Sequence, residues 1–315
     1  MVRSESSYWH GQPLRSFQAF PYHHIIDPQE EELQRLLRDH KALALRYSTA
    51  FDAPLGYPSY HVVLEKRKYG IEILGKWARK NVRRGLRESA VRPISFQLLA
   101  SDGWRLHQET LDRQKRDELR DRKDWERLCL AAGDLPGFEA WGALVQGRLA
   151  ASVITFQLQG CCYMLYQQSK LDCLTAHASN ALSYTVTRTM IQRPEVSSIF
   201  YGLHSLDAPS SVDEFKFRMG YSRKLVRQRV CLHHACVPLF NPLTHILLKT
   251  ARFVRPRNRV FAKAEGMIRF YLGGKRSLKQ LPSDNCIPAQ SACNTAASTH
   301  EPQRVVKEAP EVKAS

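Results

Sequence analysis

Three side chains that could move a proton lie close together, at the end of a short predicted strand. Tyr201, His204 and Asp207 are in or just after the apolar run at residues 197–202, and catalytic groups are often carried on loops that a rigid element positions. A histidine with the ordinary pKa of about 6.5 takes up a proton at neutral pH without tuning. These residues are candidates for a general base, although His204 could be a solvated loop residue and Asp207 a turn residue before Pro209.

Another group of side chains would bind an anion. Ser179 and Asn180 lie at the start of a predicted helix over residues 176–193. The free N–H groups and positive dipole of a helix N-terminus suit a phosphate, but the two residues could equally be a plain helix cap. Lys216 lies in mid-helix between two phenylalanines, where its stem could merely cover apolar surface.

An amphipathic helix predicted over residues 73–89 carries further cations. Its apolar residues recur at helical spacing along one side, and its basic residues collect on the opposite side. Arg83 and Arg84 belong to the basic side. They could meet an anionic acceptor or RNA, or form a solvated helix face.

The elements that must position these groups begin with an antiparallel meander. Residues 138–145, 148–156 and 161–166 are β-rich runs separated by Gln146-Gly147 and Gln159-Gly160, which is a strong hairpin signal. The helix at 176–193, the strand at 197–202, a helix at 209–220 and a closing strand at 225–232 follow. This switch from meander to helix, strand and helix creates a place for a small ligand.

The pattern of the remaining sequence predicts an α+β protein with an N-terminal extension and a disordered C-terminal tail. Upstream we expect a helix at 28–38 and strands at 42–47, 60–64 and 94–99. A long charged helix opened by Asp102 follows, in which residues 112–127 form a solvated segment. We expect four regions: an N-terminal arm (1–27) with helix and strands to residue 72, a core at 73–235, a basic helical extension at 236–278 and a disordered tail at 279–315.

Composition narrows the class of protein and its partners. The 315 residues carry a formal net charge of +17, which favours nucleic acid, acidic lipid or a phosphorylated ligand as partner. No apolar run is long enough to span a bilayer and no secretory signal is visible, so we expect a cytoplasmic protein, either free or peripheral at the inner membrane face.

The segment from Cys231 to Cys236 lacks the spacing of a structural zinc site, and we expect no metal.

In this order the elements resemble the GNAT acyltransferase superfamily, and within it the branch of the Fem-type peptidoglycan aminoacyltransferases and related bacterial acetyltransferase domains. Residues 78–86, Ala-Arg-Lys-Asn-Val-Arg-Arg-Gly-Leu, are similar to the basic Arg-x-Asn-x-Arg-Arg helix of that branch. Residues 147–151, the Gly160 hairpin and residues 179–182 are similar to its strand, strand and helix core. Residues 215–220, Phe-Lys-Phe-Arg-Met-Gly, resemble its Phe-Lys-x-x-x-Gly helix. The resemblance covers about residues 42–232, and residues 1–72 could be part of a second GNAT-like half.

The resemblance implies a mixed, mostly antiparallel sheet in which an extended acyl donor lies between two splayed strands. By position these strands are residues 163–169 and 198–202. Gln168, Ser169, Ser179 and Asn180 would then bind the donor, Lys216 would contact a carboxylate or phosphate, and the loop from Tyr201 to Asp207 would line the acceptor site. One feature departs from the family. Its phosphate-binding loop has the pattern Gln/Arg-x-x-Gly-x-Gly/Ala, whereas residues 167–172 contain no glycine.

From this resemblance we expect an N-acyltransferase that moves an acetyl or other acyl group, rather than an aminoacyl group, from acyl-CoA to an amino group. The acceptor would be a small or cell-envelope-related molecule. One alternative is an aminoacyl-tRNA-dependent aminoacyltransferase of the Fem type, whose donor the positive charge would suit. Another is a non-catalytic basic scaffold that binds nucleic acid or an anionic membrane surface.

Overall fold

The fold is known from a computed structural model, which describes residues 1–65, 68–117, 121–204, 210–255 and 257–275. Nineteen helices and strands of this described part build the site and its support. In chain order they are β1 (Val2–Arg3), β2 (Tyr8–Gln12), β3 (Ser16–Phe20), α1 (Glu30–Asp39), β4 (Ala44–Thr49), β5 (Tyr57–Leu64), α2 (Lys76–Glu88), β6 (Ala90–Ile94), α3 (Phe96–Arg113), α4 (Arg122–Gly133), β7 (Phe138–Val145), β8 (Arg148–Leu158), β9 (Cys161–Ser169), α5 (Ala178–Ile191), β10 (Ser198–Leu203), α6 (Ser210–Arg218), β11 (Ser222–Leu232), α7 (Pro242–Val254) and α8 (Arg259–Gly274).

The strands form one open sheet in the order β1-β2-β3-β4-β11-β5-β10-β9-β8-β7-β6. Neighbouring strands pair antiparallel except at β3–β4 and β9–β10, which are parallel. Helices cover both faces of the sheet. The predicted α+β class with a mixed, mostly antiparallel sheet is confirmed.

The β7–β8 and β8–β9 hairpins follow directly from their turn residues. Gln146 and Gly147 have φ values of 51° and 77°, and Gln159 and Gly160 have 52° and 74°. Positive φ at both central positions is the requirement of a type I′ turn, whose twist matches that of the flanking strands. The predicted meander is therefore confirmed, and it forms the antiparallel half of the site.

Alternate residues of β8 face two different helix layers. Val153 packs in the cluster that includes Val82 of α2 and Leu182 of α5. Its neighbour Ile154 packs in the cluster that includes Trp125 of α4. Because successive side chains of a strand point to opposite faces, α2 and α5 lie on one side of the sheet and α3 and α4 on the other.

Three predictions about the first half of the chain were wrong. Residues 1–27 are not an arm without regular structure: they contain β1, β2 and β3, and β3 extends the sheet by pairing with β4. The strand predicted at 94–99 is instead the start of α3, because the Ser95 side chain accepts a hydrogen bond from the Leu98 N–H and caps the helix there. That helix consequently opens before Asp102.

The solvated helix predicted over residues 112–127 was also wrong as a single element. α3 ends at Arg113, and α4 begins at Arg122 after an Asp121 cap that accepts from the Asp124 N–H. In the described ranges, no helix is long and apolar enough to cross a membrane. The predicted tail at 279–315 lies outside the described residues.

Candidate functional site

The central strands β9 and β10 separate after a short parallel pairing. They pair only at Ser198–Cys161, Ile199–Cys162 and Phe200–Tyr163. Beyond Phe200 the register of β10 shifts at Gly202 and the strand continues along β5, while β9 continues along β8. Gly202 has φ +144°, a conformation that favours glycine. The two strands therefore open into a V.

A bulge in β9 lines one arm of this V. Leu165 pairs with Ile154 and Gln168 pairs with Ser152, so Tyr166 and Gln167 lie opposite Val153 alone. Tyr166 has φ +48°. Such a bulge leaves an unpaired residue and redirects the neighbouring side chains, and here it turns Gln167 toward the space between the strands, where its Oε1 accepts a hydrogen bond from the Tyr201 hydroxyl of β10.

A cavity of about 540 Å³ lies in the V, and we call it the β9–β10 cleft. It brings together six of the ten site residues that the sequence predicts: Gln168, Ser169, Ser179, Asn180, Tyr201 and Lys216. It is also lined by residues that the sequence analysis missed, namely Thr110, Arg113, Gln114, Tyr166, Gln167 and Phe215 among others. Two of these missed residues, Arg113 and Gln114, come from the segment at 112–127 that charge alternation had assigned to a solvated helix.

Lys216 of α6 is the centre of a buried polar group in the cleft. Its Nζ donates to Asp213 Oδ1 at 2.8 Å, and both side chains are nearly buried, with 12% and 11% exposed. Asp213 Oδ2 accepts a second hydrogen bond from the Tyr60 hydroxyl at 2.9 Å. The Lys216 Nζ also lies 5.2 Å from the centroid of the Tyr201 ring, so the Asp213 carboxylate and the Tyr201 ring together set its position.

Tyr201 is held as a neutral phenol. Burial raises the pKa of its hydroxyl above the ordinary value of a tyrosine, so the group keeps its proton at neutral pH. A protonated phenol can donate a hydrogen bond, but it does not accept a proton from an amine. The Tyr201 hydroxyl donates to Gln167, and a phenol that keeps its proton suits the role of hydrogen-bond donor or general acid.

Arg113 of α3 provides a second cation in the cleft. Its Nη2 donates to Ser169 Oγ at 3.0 Å, and Thr110 Oγ1 accepts from the Ser169 N–H at 2.9 Å. These contacts fix the end of β9 against α3. Burial lowers the pKa of Arg113, yet a guanidinium stays charged at neutral pH, so Arg113 and Lys216 give the cleft a positive character.

The N-terminus of α5 forms the end wall of the cleft. A 3₁₀ turn, Leu174–Ala176, precedes it, and His177 has φ +53° at the N-cap. Ser179 and Asn180 lie in the first turn and line the cavity. As the sequence indicated, the connection from β9 contains no glycine.

The geometry can be compared with solved structures. FemX aligns over 73% of this chain and 85% of its own, with a TM-score of 0.51 at 12% identity. L-PGS from Bacillus licheniformis aligns over 74% of this chain and 82% of its own, with a TM-score of 0.50 at 9% identity. The chain has a GNAT-like fold. At this identity the likeness shows the fold alone.

Two other comparisons give no relative. No family model matches the sequence, and a search of curated proteins finds no match either. The GNAT-like fold is recognised from the order of the motifs in the sequence and from the order of the strands in the sheet.

Three other predicted site residues, His204, Arg83 and Arg84, do not line the cleft. His204 stacks on the Tyr60 ring at 4.5 Å, bonds Ser59 through Nδ1 and lines a separate cavity with Arg46 and Lys263. Arg83 and Arg84 are exposed on α2, where Arg84 forms an ion pair with Glu88. Asp207 lies outside the described residues. The structure thus does not bring His204, Arg83 or Arg84 to the β9–β10 cleft, where an acceptor would have to meet the donor.

No group of three or more metal-ligating side chains lies within the part of the chain that the structure describes. Cys231 is in β11 and Cys236 lies in the turn that follows it, and both are reduced. Burial raises the pKa of the Cys231 thiol to about 12. At neutral pH that cysteine is an inert thiol.

The GNAT-like fold depends on a close contact between α2 and α5, which leads to a first prediction. A Cβ at Gly85 would lie 2.5 Å from the His177 carbonyl oxygen and 2.9 Å from the Ala181 Cβ. Gly85→Ala should therefore destabilise the protein by about 1–3 kcal/mol in urea unfolding, although alanine improves an exposed helix interior by about 1 kcal/mol. Gly75→Ala, where nothing lies within 4 Å, is the control and should change stability by less than about 1 kcal/mol. A stabilised Gly85→Ala variant would contradict the contact.

A second prediction concerns acid sensitivity. Burial, with help from Arg269, Arg46 and Arg223, lowers the pKa of His204 to about 4 against the opposing effect of Asp213. Because the folded-state pKa is below the unfolded one, the stability due to neutral His204 is complete above pH about 6.5 and is lost as the pH falls toward about 4. The loss should reach at most about 3 kcal/mol.

The measurement is urea unfolding of the wild type and His204→Gln at pH about 7 and about 4.5. The variant should lose less stability between the two values than the wild type. His23 and His61, whose pKa values burial also lowers, remain in both proteins and cancel in the comparison. Equal losses in the two proteins would show that His204 titrates normally.

Proposed function

We propose that this protein transfers an acyl group to an amino group and holds the acyl donor in the β9–β10 cleft. The separation of β9 from β10 is the observation that carries the proposal. Two strands that part after three residue pairs leave backbone N–H and C=O groups unpaired along the V, and an extended donor can bind such groups as an added strand does. The cations Arg113 and Lys216 in the cleft suit a donor with negative charge.

In the proposed reaction the acceptor amine attacks the donor directly, and no covalent intermediate with the protein is needed. The nitrogen of a neutral acceptor amine attacks the donor carbonyl carbon, a C–N bond forms, and the bond from that carbon to the leaving oxygen or sulfur breaks. The amine proton passes to solvent, and the leaving group takes up a proton. Lys216 would stabilise the negative charge that develops on the carbonyl oxygen, and the neutral Tyr201 hydroxyl in the same cleft would exchange its bond to Gln167 for one to the substrate.

An aminoacyl ester of tRNA is the donor that the site favours. The connection between β9 and α5 has no glycine and continues into a 3₁₀ turn, whereas close approach of a backbone to a pyrophosphate normally uses glycine. The net charge of +17 suits a polyanionic donor. The resemblance to the Fem-type enzymes points the same way.

Acyl-CoA, preferred from the sequence, is the second candidate donor. One observation favours it: Ser179 and Asn180 place the N-terminus of α5 at the cleft, where its free N–H groups could meet a phosphate. A small or cell-envelope-related amine remains the proposed acceptor class for either donor.

The deciding experiment compares the donors directly with purified full-length protein. Aminoacylated tRNA and deacylated tRNA are tested by filter binding at two salt concentrations, and acetyl-CoA, longer acyl-CoAs and free CoA by thermal shift. A donor at a hundredfold excess over its Kd should stabilise the fold by about 2.7 kcal/mol. Preferential, salt-sensitive binding of aminoacylated tRNA would support the first candidate, and a saturable shift with one acyl-CoA would support the second. Binding of neither donor would overturn the proposal.

A further inference from the structure

Helix α7 has its apolar side turned outward. Five large apolar residues of this helix are mostly exposed: Leu243 (68%), Ile246 (59%), Leu247 (62%), Phe253 (88%) and Val254 (72%). Residues at these spacings share one side of a helix. Val237 and Leu239, in the turn before α7, are exposed as well. We call these seven residues the α7 apolar face.

The polar side of α7 is the one that packs on the protein. His245 Nε2 and Arg252 Nη1 bond the two carboxylate oxygens of Glu265 in α8, at 3.0 and 3.1 Å. Glu265 is only 5% exposed. Burial alone would raise the pKa of this carboxyl, but the bond to His245 and the charges of Arg269 and Arg252 keep it below the ordinary value. A charged network thus fixes the direction in which the apolar face points.

The charged side chains that α7 and its flanking turns contribute are all basic. No aspartate or glutamate occurs between Glu214 and Glu265 in the sequence. Lys249 and Arg255 are exposed beside the apolar residues. A helix that exposes apolar side chains, carries bordering cations and has no acidic residue of its own matches the surface of an anionic bilayer, in which acyl chains lie beneath negative headgroups.

We propose that α7 is a membrane-docking helix that lies in the interface of an anionic lipid bilayer. The apolar face enters the boundary between headgroups and acyl chains, and Lys249 and Arg255 contact lipid phosphates. Thirteen residues at 1.5 Å rise make a helix of about 20 Å, which lies along the surface. This inference is independent of the donor and of the transfer reaction. Contiguous exposed apolar surface of this kind marks an interaction site, and the one-sided charge selects lipid over a second copy of the chain.

Vesicle co-sedimentation of the full-length protein tests the proposal. Vesicles of equimolar phosphatidylglycerol and phosphatidylcholine should bind the wild type, and vesicles of phosphatidylcholine alone should bind it more than roughly tenfold less. The variant Leu243→Gln/Ile246→Gln/Leu247→Gln should lose more than roughly tenfold in binding. Leu130→Gln/Leu135→Gln, which changes exposed leucines elsewhere, is the matched control and should bind as the wild type does. Lys249→Glu/Arg255→Glu should weaken binding at low salt.

A spectroscopic variant separates insertion from other uses of the face. Phe253→Trp should add a solvent-exposed emission that shifts to shorter wavelength when anionic vesicles are added. If the tryptophan introduced at position 253 already emitted at short wavelength before vesicles were added, a second copy or another part of the chain would be covering the face. That result would overturn the proposal. Equal binding to both vesicle types, or undiminished binding by the triple variant, would overturn it too.

Discussion

Lys216→Met should lower the kcat/KM of acyl transfer by about 10²-fold or more, because it removes a positive hydrogen-bond donor from the centre of the β9–β10 cleft. The side chain is 12% exposed and is oriented by Asp213 and by the Tyr201 ring. A lysine from the protein surface could therefore not supply this charge unless the structure around the cleft changed. The measurement is the steady-state rate of transfer with the donor identified by the binding experiment. Arg218→Met is the matched control: Arg218 lies on the same helix, is 71% exposed and pairs with Glu214, and the activity of the variant should stay within about twofold of the wild type.

The structural part of the Lys216 effect can be separated from the chemical part. Among the residues that the structure describes, removal of the ammonium leaves the Tyr60 hydroxyl as the side-chain donor to the buried Asp213 carboxylate, and a buried charge without its partner destabilises a protein by several kcal/mol. Asp213→Asn in the Lys216→Met background should restore much of the thermal stability without restoring activity. Recovery of activity in the double variant would show that Lys216 serves only to neutralise Asp213.

The sequence was sufficient to predict those parts of the fold whose structure is decided by residues close together in the chain. Gln146-Gly147 and Gln159-Gly160 specify their turns through positive φ values, so the β7–β9 meander was predictable. The start of α3 was also readable, since Ser95 is a good N-cap. The prediction instead followed the apolar run at 94–99, in which strand and helix cannot be told apart by hydrophobicity alone.

The site could be predicted only where its residues follow such signals. Ser179, Asn180 and Lys216 lie near helix starts or within a recognisable helix motif, and all three line the cleft. Arg113 was missed because its role depends on α3 packing beside the end of β9, 56 residues away in the sequence. His204 was considered a base from its ordinary pKa, but burial against Tyr60 lowers that pKa to about 4. Long-range packing decides both cases.

Trp125 shows how far the cleft depends on the helix layer behind it. The side chain is fully buried, its indole N–H donates to the Leu99 carbonyl at 3.2 Å, and its ring stacks on His107 with centroids 4.9 Å apart. His107 Nδ1 in turn is 2.6 Å from Gln168 Nε2, in the wall of the cleft. Trp125 therefore connects α4 through α3 to the strand that lines the site.

Trp125→Ala should reduce the free energy of unfolding by about 3–5 kcal/mol, since it removes a large buried ring and leaves a cavity. In urea at neutral pH the midpoint should fall without a large change in slope. Trp77→Ala is the matched control: it is the same substitution at a residue that is 73% exposed, and it should cost less than about 1 kcal/mol. Trp125→Phe keeps an aromatic ring against His107 but loses the bond to Leu99, so its cost should be intermediate. If the folded fraction of Trp125→Ala binds donor as tightly as the wild type, the His107–Gln168 contact does not shape the cleft, and the dependence of the site on this layer is limited to stability.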